Sequence, residues 1–173
     1  SYCIKDALDL GADIVLCGRV TDPGLSLGPM LHEFNWESDD YDRLASGTLA
    51  GHIIECGAQC TGGNYSKWKD IKDFINIGYP IVNMTKNGSF SISKPPNSGG
   101  ILNKYTVLEQ VLYEMGDPNN YISPDVIVDF TSFNIEERNN EVFIDNVKGK
   151  RPTDTYKVSM SYSNGYKASG QLT

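Results

Sequence analysis

A nearly uncharged stretch from 46 to 64 carries the residues best suited to chemistry. Its one full charge is Glu55. At 100° per residue, a helix would place Glu55 with His52, Cys56 and Gln59 in one arc of about 100°. A buried carboxylate needs a partner, and an imidazole one turn away could supply it. We therefore predict that His52 and Glu55 form a buried proton-transfer pair; the alternative is a polar cluster that only joins helices.

A turn containing Arg19 and Asp22 is the second candidate. It follows an apolar, β-branched run at 13–17, which predicts a buried strand, and it precedes a helix predicted over 24–34. Ligands collect at the carboxyl ends of strands and at helix N-termini. Arg19 could therefore hold a carboxylate or phosphate. Asp22 is either a further ligand-binding residue or the N-cap of the helix.

Two glycine-rich loops are candidate anion cradles, because consecutive glycines expose backbone N–H groups that can surround an oxyanion. Neither loop matches a known phosphate-binding fingerprint, and ordinary turn chemistry is the alternative for each. With the polar end of the preceding helix, the predicted ligand-binding residues in these segments are Gln59, Gly62, Gly63, Asn64, Lys94, Gly99 and Gly100.

The cysteines favour packing over metal binding. His52, Cys56 and Cys60 recur at four-residue intervals, but structural zinc sites usually gather ligands through CxxC turns. We predict no metal site. The four cysteines have no short paired spacing, which indicates reduced thiols and a cytoplasmic protein. Cys17 and Cys56 in particular are expected to be buried.

Composition limits the class of protein. The chain has 173 residues, is 39% hydrophobic and carries a net charge of −7. This profile is typical of a globular domain, and it disfavours nucleic acid as a partner, which selects for a basic face. No apolar run approaches the roughly 20 residues of a membrane span. We predict one domain over 1–173, or a fragment of a larger α/β domain.

The elements that must position these residues change along the chain. Residues 1–70 are helix-rich and residues 77–173 hairpin-rich, which predicts an α+β or mixed α/β fold. Both ends stop abruptly inside predicted elements, so we expect an internal piece of a longer chain that forms a homo-oligomer through uncovered edges. The predicted helices are 2–10, 24–34, a pattern over 38–59, and 105–115; the predicted strands are 79–84, 89–93, 126–130, 132–138, 141–147, 156–162 and 166–173.

Several strings in the chain carry a resemblance to a known family. They are Gly11 to Arg19, Ala50 to Gln59, Thr61 to Gly63, Ile77 to Ile81, Lys94 to Pro96, Gly99-Gly100, and Pro152 to Lys157. Together they resemble the acyclic terpene utilisation family, long described as a domain of unknown function. The resemblance implies catabolism through coenzyme A thioesters, with no assigned catalytic residue and an unknown cofactor.

Two classes of function follow. One is an enzyme domain that acts on an acidic or acyl-CoA small molecule. In that class Arg19 and the glycine loops would hold the anion, while His52 and Glu55 move protons. The other is a non-catalytic accessory or assembly subunit whose polar helix packs against a copy or a partner.

Overall fold

Most of the helices lie in the first half of the chain, as the sequence predicts. The computed structural model describes residues 1–171, and in that range α1 spans Tyr2–Asp9, α2 Gly24–Phe34, α3 Tyr41–Ile54 and α4 Lys104–Val111. Short 3-10 turns follow at Gly57–Gln59 and Trp68–Asp70. The bounds of α2 agree with the prediction, whereas α3 ends five residues before the end of its predicted helical pattern.

Two antiparallel sheets occupy the second half. The strands are β1 Ile81–Met84, β2 Phe90–Ser93, β3 Tyr121–Ile122, β4 Ile127–Asp129, β5 Asn134–Arg138, β6 Glu141–Asp145 and β7 Lys148–Lys150. The first sheet has the order β1-β2-β6-β5, and the second the order β3-β4-β7. The alpha-plus-beta prediction is thus confirmed, as are two of the predicted hairpins, 79–84 with 89–93 and 132–138 with 141–147. Strands β3 and β7 were not foreseen.

Helix α3 is the centre of the core, and every residue from Leu44 to Ile53 is buried. Helix α2 packs on it from one side, and β4, β7 and α4 pack on it from the others. A helix covered all round has no place for solvated charges, which explains why this stretch of sequence is nearly uncharged. Its fully buried apolar neighbours include Leu27, Leu31, Val107 and Val128.

Close packing of α2 on α3 depends on glycine. A Cβ at Gly51 would lie 2.7 Å from the carbonyl oxygen and 2.8 Å from the Cα of Pro23, and one at Gly47 would lie 2.7 Å from Leu27 Cδ1. The chain just before α2 therefore lies directly on α3 at Gly51.

Three of the predicted strands do not form in the described residues. Residues 13–17 have no regular structure, and Ile14 and Leu16 are almost fully exposed. The same holds for 156–162, and no strand forms within 166–171; Leu172 and Thr173 lie outside the described residues. An apolar pattern predicts a strand only where a neighbouring strand completes the ladder, and no described residue provides one here. Within 1–171 no helix has the length and apolar character needed to cross a membrane.

Candidate functional site

Glu55 lies just beyond the last residue of α3 and is partly exposed. Its backbone N–H donates to the Gly51 carbonyl at 3.0 Å, and its carboxylate accepts a hydrogen bond from the Cys56 thiol at 3.3 Å. The predicted buried pair of His52 and Glu55 is therefore wrong: no hydrogen bond joins the two side chains among the described residues, and Glu55 is only partly buried. Glu55 keeps helical dihedral angles as the C-cap residue of α3.

Three carboxylates meet at this end of α3. One oxygen each of Asp22, Glu55 and Glu114 lies within 4.8 Å of the others, and all three residues are at least partly exposed. This is the one such group of three or more His, Cys, Asp or Glu residues in the described part of the chain. We call it the carboxylate trio. Its oxygens are the ligands that a hard divalent cation prefers.

Packing, and not local sequence, brings Asp22 to the trio. The backbone of Pro23 rests on Gly51 of α3. Asp22, which precedes Pro23, therefore lies beside the end of α3, one turn after Gly51. Asp22 makes no capping hydrogen bond; Pro23 occupies the N-cap position of α2 without a side-chain bond. The interpretation of Asp22 as an N-cap is therefore wrong, and its proximity to Glu55 is the feature that bears on chemistry.

Glu114 was missed by the sequence analysis. It follows α4 and has a left-handed backbone with φ of 52°. That conformation costs a residue with a Cβ roughly 1–2 kcal/mol, and Gly or Asn usually occupies it. No sequence signal marks the position, because Glu is an uncommon choice there. The third carboxylate is thus held beside the two others at a cost in folding stability, as is common at functional sites.

His52 lies behind the trio and is buried. Its Nε2–H donates to the Val111 carbonyl at 3.2 Å, and its ring packs against Tyr121 and Phe130 with centroid distances of 5.8 and 5.6 Å. Burial lowers the pKa of this imidazole; the Val111 carbonyl and the negative charge of Glu55 oppose that effect. His52 therefore joins α3 to α4 and the second sheet as a neutral side chain.

Tyr121 connects the trio to a cavity. Burial raises the pKa of its hydroxyl, and the charges of Glu55, Asp22 and Glu114 raise it further. Tyr121 and Glu114 line a cavity of about 430 Å³, together with Thr155 and Lys157. The residues that line the cavity thus include a carboxylate, a phenol and an ammonium, and some of them lie within the string Pro152 to Lys157.

The two predicted cations lie apart from this arrangement. Arg19 is exposed and forms no ion pair with another described residue. The Lys94 ammonium donates to the carbonyl and hydroxyl oxygens of Ser98, at 2.9 and 2.8 Å, and so closes its own loop. The structure therefore does not bring Arg19 and Lys94 together as one anion clamp.

The two glycine loops lie against each other and use their amides internally. The N–H groups of Gly99 and Gly100 donate to the carbonyls of Asn76 and Ile77, at 2.7 and 3.0 Å. Those of Gly62 and Gly63 donate to the carbonyls of Gln59 and Ala58, at 3.1 and 2.8 Å. None of these four glycine amides is free to bind an anion. Ligand binding by these glycines and by exposed Asn64 stays a prediction, which the internal bonds oppose.

Two further residues of this region are placed by the structure. Gln59 has a buried Oε1 without a hydrogen-bond partner among the described residues. Cys60 is fully buried and does not gather with His52 and Cys56 within ligand distance. The four-residue spacing of those three side chains fails to make a common stripe because α3 ends before Cys56.

Thiol labelling should separate the four cysteines. Cys3 is exposed, Cys17 and Cys56 are half-buried, and Cys60 is buried, so the expectation that Cys17 and Cys56 are buried is wrong. Burial raises the pKa of Cys60 to about 12, and burial and Glu55 raise that of Cys56 to about 11. Because the thiolate reacts, mass spectrometry after a thiol reagent at pH 7.5 should show Cys3 modified first and Cys60 last. Labelling of Cys60 before Cys3 in the native protein would contradict this burial.

The folded protein should become less stable as the pH falls, because His52 is buried. Its folded-state pKa is lowered by burial, so below the unfolded-state pKa of about 6.5 the unfolded chain binds a proton that the folded chain rejects. Its contribution is therefore complete above that pH and is lost as the pH falls. Urea unfolding at pH 7.5 and 5.5 should show a smaller pH dependence in His52→Gln than in the parent. The matched control is His32→Gln, at the other histidine; an equal effect of both changes would reject the assignment.

Comparison with known proteins gives one match. The family model described as acyclic terpene utilisation family protein AtuA matches residues 1–173. No curated protein and no solved structure matches the chain.

Proposed function

The chain belongs to the acyclic terpene utilisation family AtuA, and we propose that it is an enzyme domain acting by proton transfer on a small acidic or acyl-CoA substrate in catabolism. The reaction is placed at the carboxylate trio and the adjoining cavity. The enzyme class, the acyl-CoA substrate and the cytoplasmic location are all part of this proposal. The four free thiols support a reducing compartment.

The observation that supports the proposal is the unfavourable energy of the carboxylate trio. Three like charges with oxygens within 4.8 Å repel one another, and one of them rests on a left-handed glutamate backbone. Neither feature stabilises the fold. Residues held against their own preference beside a cavity indicate a site retained for chemistry.

In this proposal each residue of the site has a separate role. Glu55 and Glu114 are the groups that would take a proton from the substrate and return it. Tyr121 is a neutral hydroxyl donor, since burial and the trio raise its pKa. Lys157, which also lines the cavity, would attract a carboxylate or phosphate of the substrate. His52 has no direct role in this scheme; it is a positioning residue that holds α4, and with it Glu114, against α3.

The accessory-subunit alternative also rests on a specific observation. A row of apolar side chains in residues 156–162 is exposed, which is typical of a surface that another chain covers. Such a subunit would not need the trio. The two proposals therefore predict different responses to small molecules.

A thermal-shift screen of the 173-residue chain tests the enzyme proposal. The probes are short branched and straight acyl-CoA thioesters, coenzyme A and the matching free acids, each with and without Mg²⁺. A bound probe at 100 times its Kd stabilises by about 2.7 kcal/mol. The shift should be lost in Lys157→Ala and kept in Lys167→Ala, a lysine outside the cavity. No shift with any probe would reject the enzyme proposal in favour of the accessory subunit.

A further inference from the structure

We propose that residues 155–163 form a β-strand that pairs antiparallel with the same segment of a second copy of this chain, about a two-fold axis at Ser159. The segment runs extended and uncovered beyond β7. The proposal concerns assembly alone and does not depend on the proposed chemistry.

The side chains of this segment alternate as those of a half-buried strand do. Tyr156, Val158, Met160 and Tyr162 are 94%, 78%, 85% and 83% exposed, and the residues between them are polar. A period of two places the four apolar side chains on one face. Rows of this kind on a protein surface mark an interaction site, since a solvated strand gains nothing from one apolar face.

The backbone of the segment is also without a ladder. Among residues 1–171, no hydrogen bond between two backbone groups joins 155–163 to another part of the chain. The Thr155 carbonyl accepts one bond, from the Thr153 hydroxyl. A strand with free N–H and C=O groups is a template for pairing with another chain. The backbone edge of this segment therefore favours a second strand as its occupant.

The sequence of the segment is complementary to itself. It reads Tyr-Lys-Val-Ser-Met-Ser-Tyr from 156 to 162, and an antiparallel pairing centred on Ser159 sets Tyr156 opposite Tyr162 and Val158 opposite Met160. On the other face Lys157 meets Ser161, so no like charges face each other. Aromatic and apolar cross-strand pairs each contribute roughly 0.2–1 kcal/mol. A second copy thus gives each residue of the segment a cross-strand partner, as a two-fold interface requires.

The pairing is stabilised by the ladder hydrogen bonds and by the cross-strand contacts between neighbouring side chains. A two-stranded ribbon leaves its apolar face in contact with water, and ribbons of two strands are only marginally stable. We therefore expect a concentration-dependent dimer and not a permanent one.

Cross-linking at the axis tests the pairing directly. In a Cys3→Ser background, which removes the exposed native thiol, Ser159→Cys should give a disulfide-linked dimer on mild oxidation, because residue 159 faces itself across the axis. Ser163→Cys is the matched control; it faces Thr155 and should stay monomeric. Equal cross-linking of both variants, or of neither, would overturn the proposed register.

Sedimentation of the full chain tests the energetics. Val158→Glu should weaken the dimer about tenfold or more, since it places a charge on the apolar face. Ser161→Glu lies opposite Lys157 and should tighten the dimer about tenfold through two cross-strand ion pairs, while Ser161→Lys should weaken it. Both positions are exposed, so circular dichroism should show an unchanged fold in all three variants. A monomer at every concentration, or the same dissociation constant in all variants, rejects the proposal.

Discussion

Replacement of Glu55 by Gln is expected to abolish turnover while leaving the chain at least as stable as before. General acid–base groups contribute about 10²–10⁴-fold to rate, and an amide cannot take or return a proton. The stability result follows from the trio, since one of three mutually repelling charges is removed. Had Glu55 been buried and bonded, the same change would cost roughly 1–3 kcal/mol; its partial exposure and single weak thiol contact remove that reason.

The control for this experiment is Glu33→Gln. Glu33 is an exposed residue of α2 outside the trio, and its replacement should change neither the melting temperature nor the turnover of the substrate found by thermal shift. Glu114→Gly should act like Glu55→Gln in the activity assay. It should also raise the free energy of unfolding, because glycine relieves the left-handed backbone. Full activity in both Glu55→Gln and Glu114→Gly would remove the trio from the mechanism.

Replacement of Gly51 by Ala should both destabilise the protein and lower its activity. Alanine alone favours a helix over glycine by about 1 kcal/mol. The new Cβ would lie 2.7 Å from the backbone oxygen of Pro23, and overpacking of this kind costs typically 1–3 kcal/mol, more where backbone must move. We expect a net loss of about 1–3 kcal/mol in urea unfolding. Activity falls too, because the movement of Pro23 carries Asp22 away from Glu55.

Gly47→Ala is the matched comparison on the same helix. Its Cβ would meet the end of the Leu27 side chain and atoms of Trp36 and Met30, and side chains can rotate away where backbone cannot. It should therefore cost less than Gly51→Ala and leave the distance between Asp22 and Glu55 unchanged. A larger loss of activity in Gly47→Ala than in Gly51→Ala would show that contact with Pro23 does not set the site.

The sequence alone identified only some residues of the candidate site. The unusual lack of charge from 46 to 64 pointed to His52 and Glu55, and the structure places both at the end of α3. It could not show that Glu55 is partly exposed, because the exposure of a side chain depends on which distant segments cover it. Glu114 could not be found at all, because its closeness to Glu55 is a contact between residues 59 positions apart and its left-handed backbone has no sequence signal.

Local periodicity by itself determined the helices and the two central hairpins, since each depends on residues a few positions apart. The family resemblance rests on specific strings of residues and needs no structure. The tertiary structure decided which patterns found partners. Residues 13–17 and 156–162 have the alternation or apolar content of strands but no neighbouring strand among the described residues, while β3 and β7, too short to carry a pattern, pair through β4. A helix closes its hydrogen bonds within its own segment, whereas a strand depends on a second one. The second sheet and the carboxylate trio were therefore settled by long-range packing.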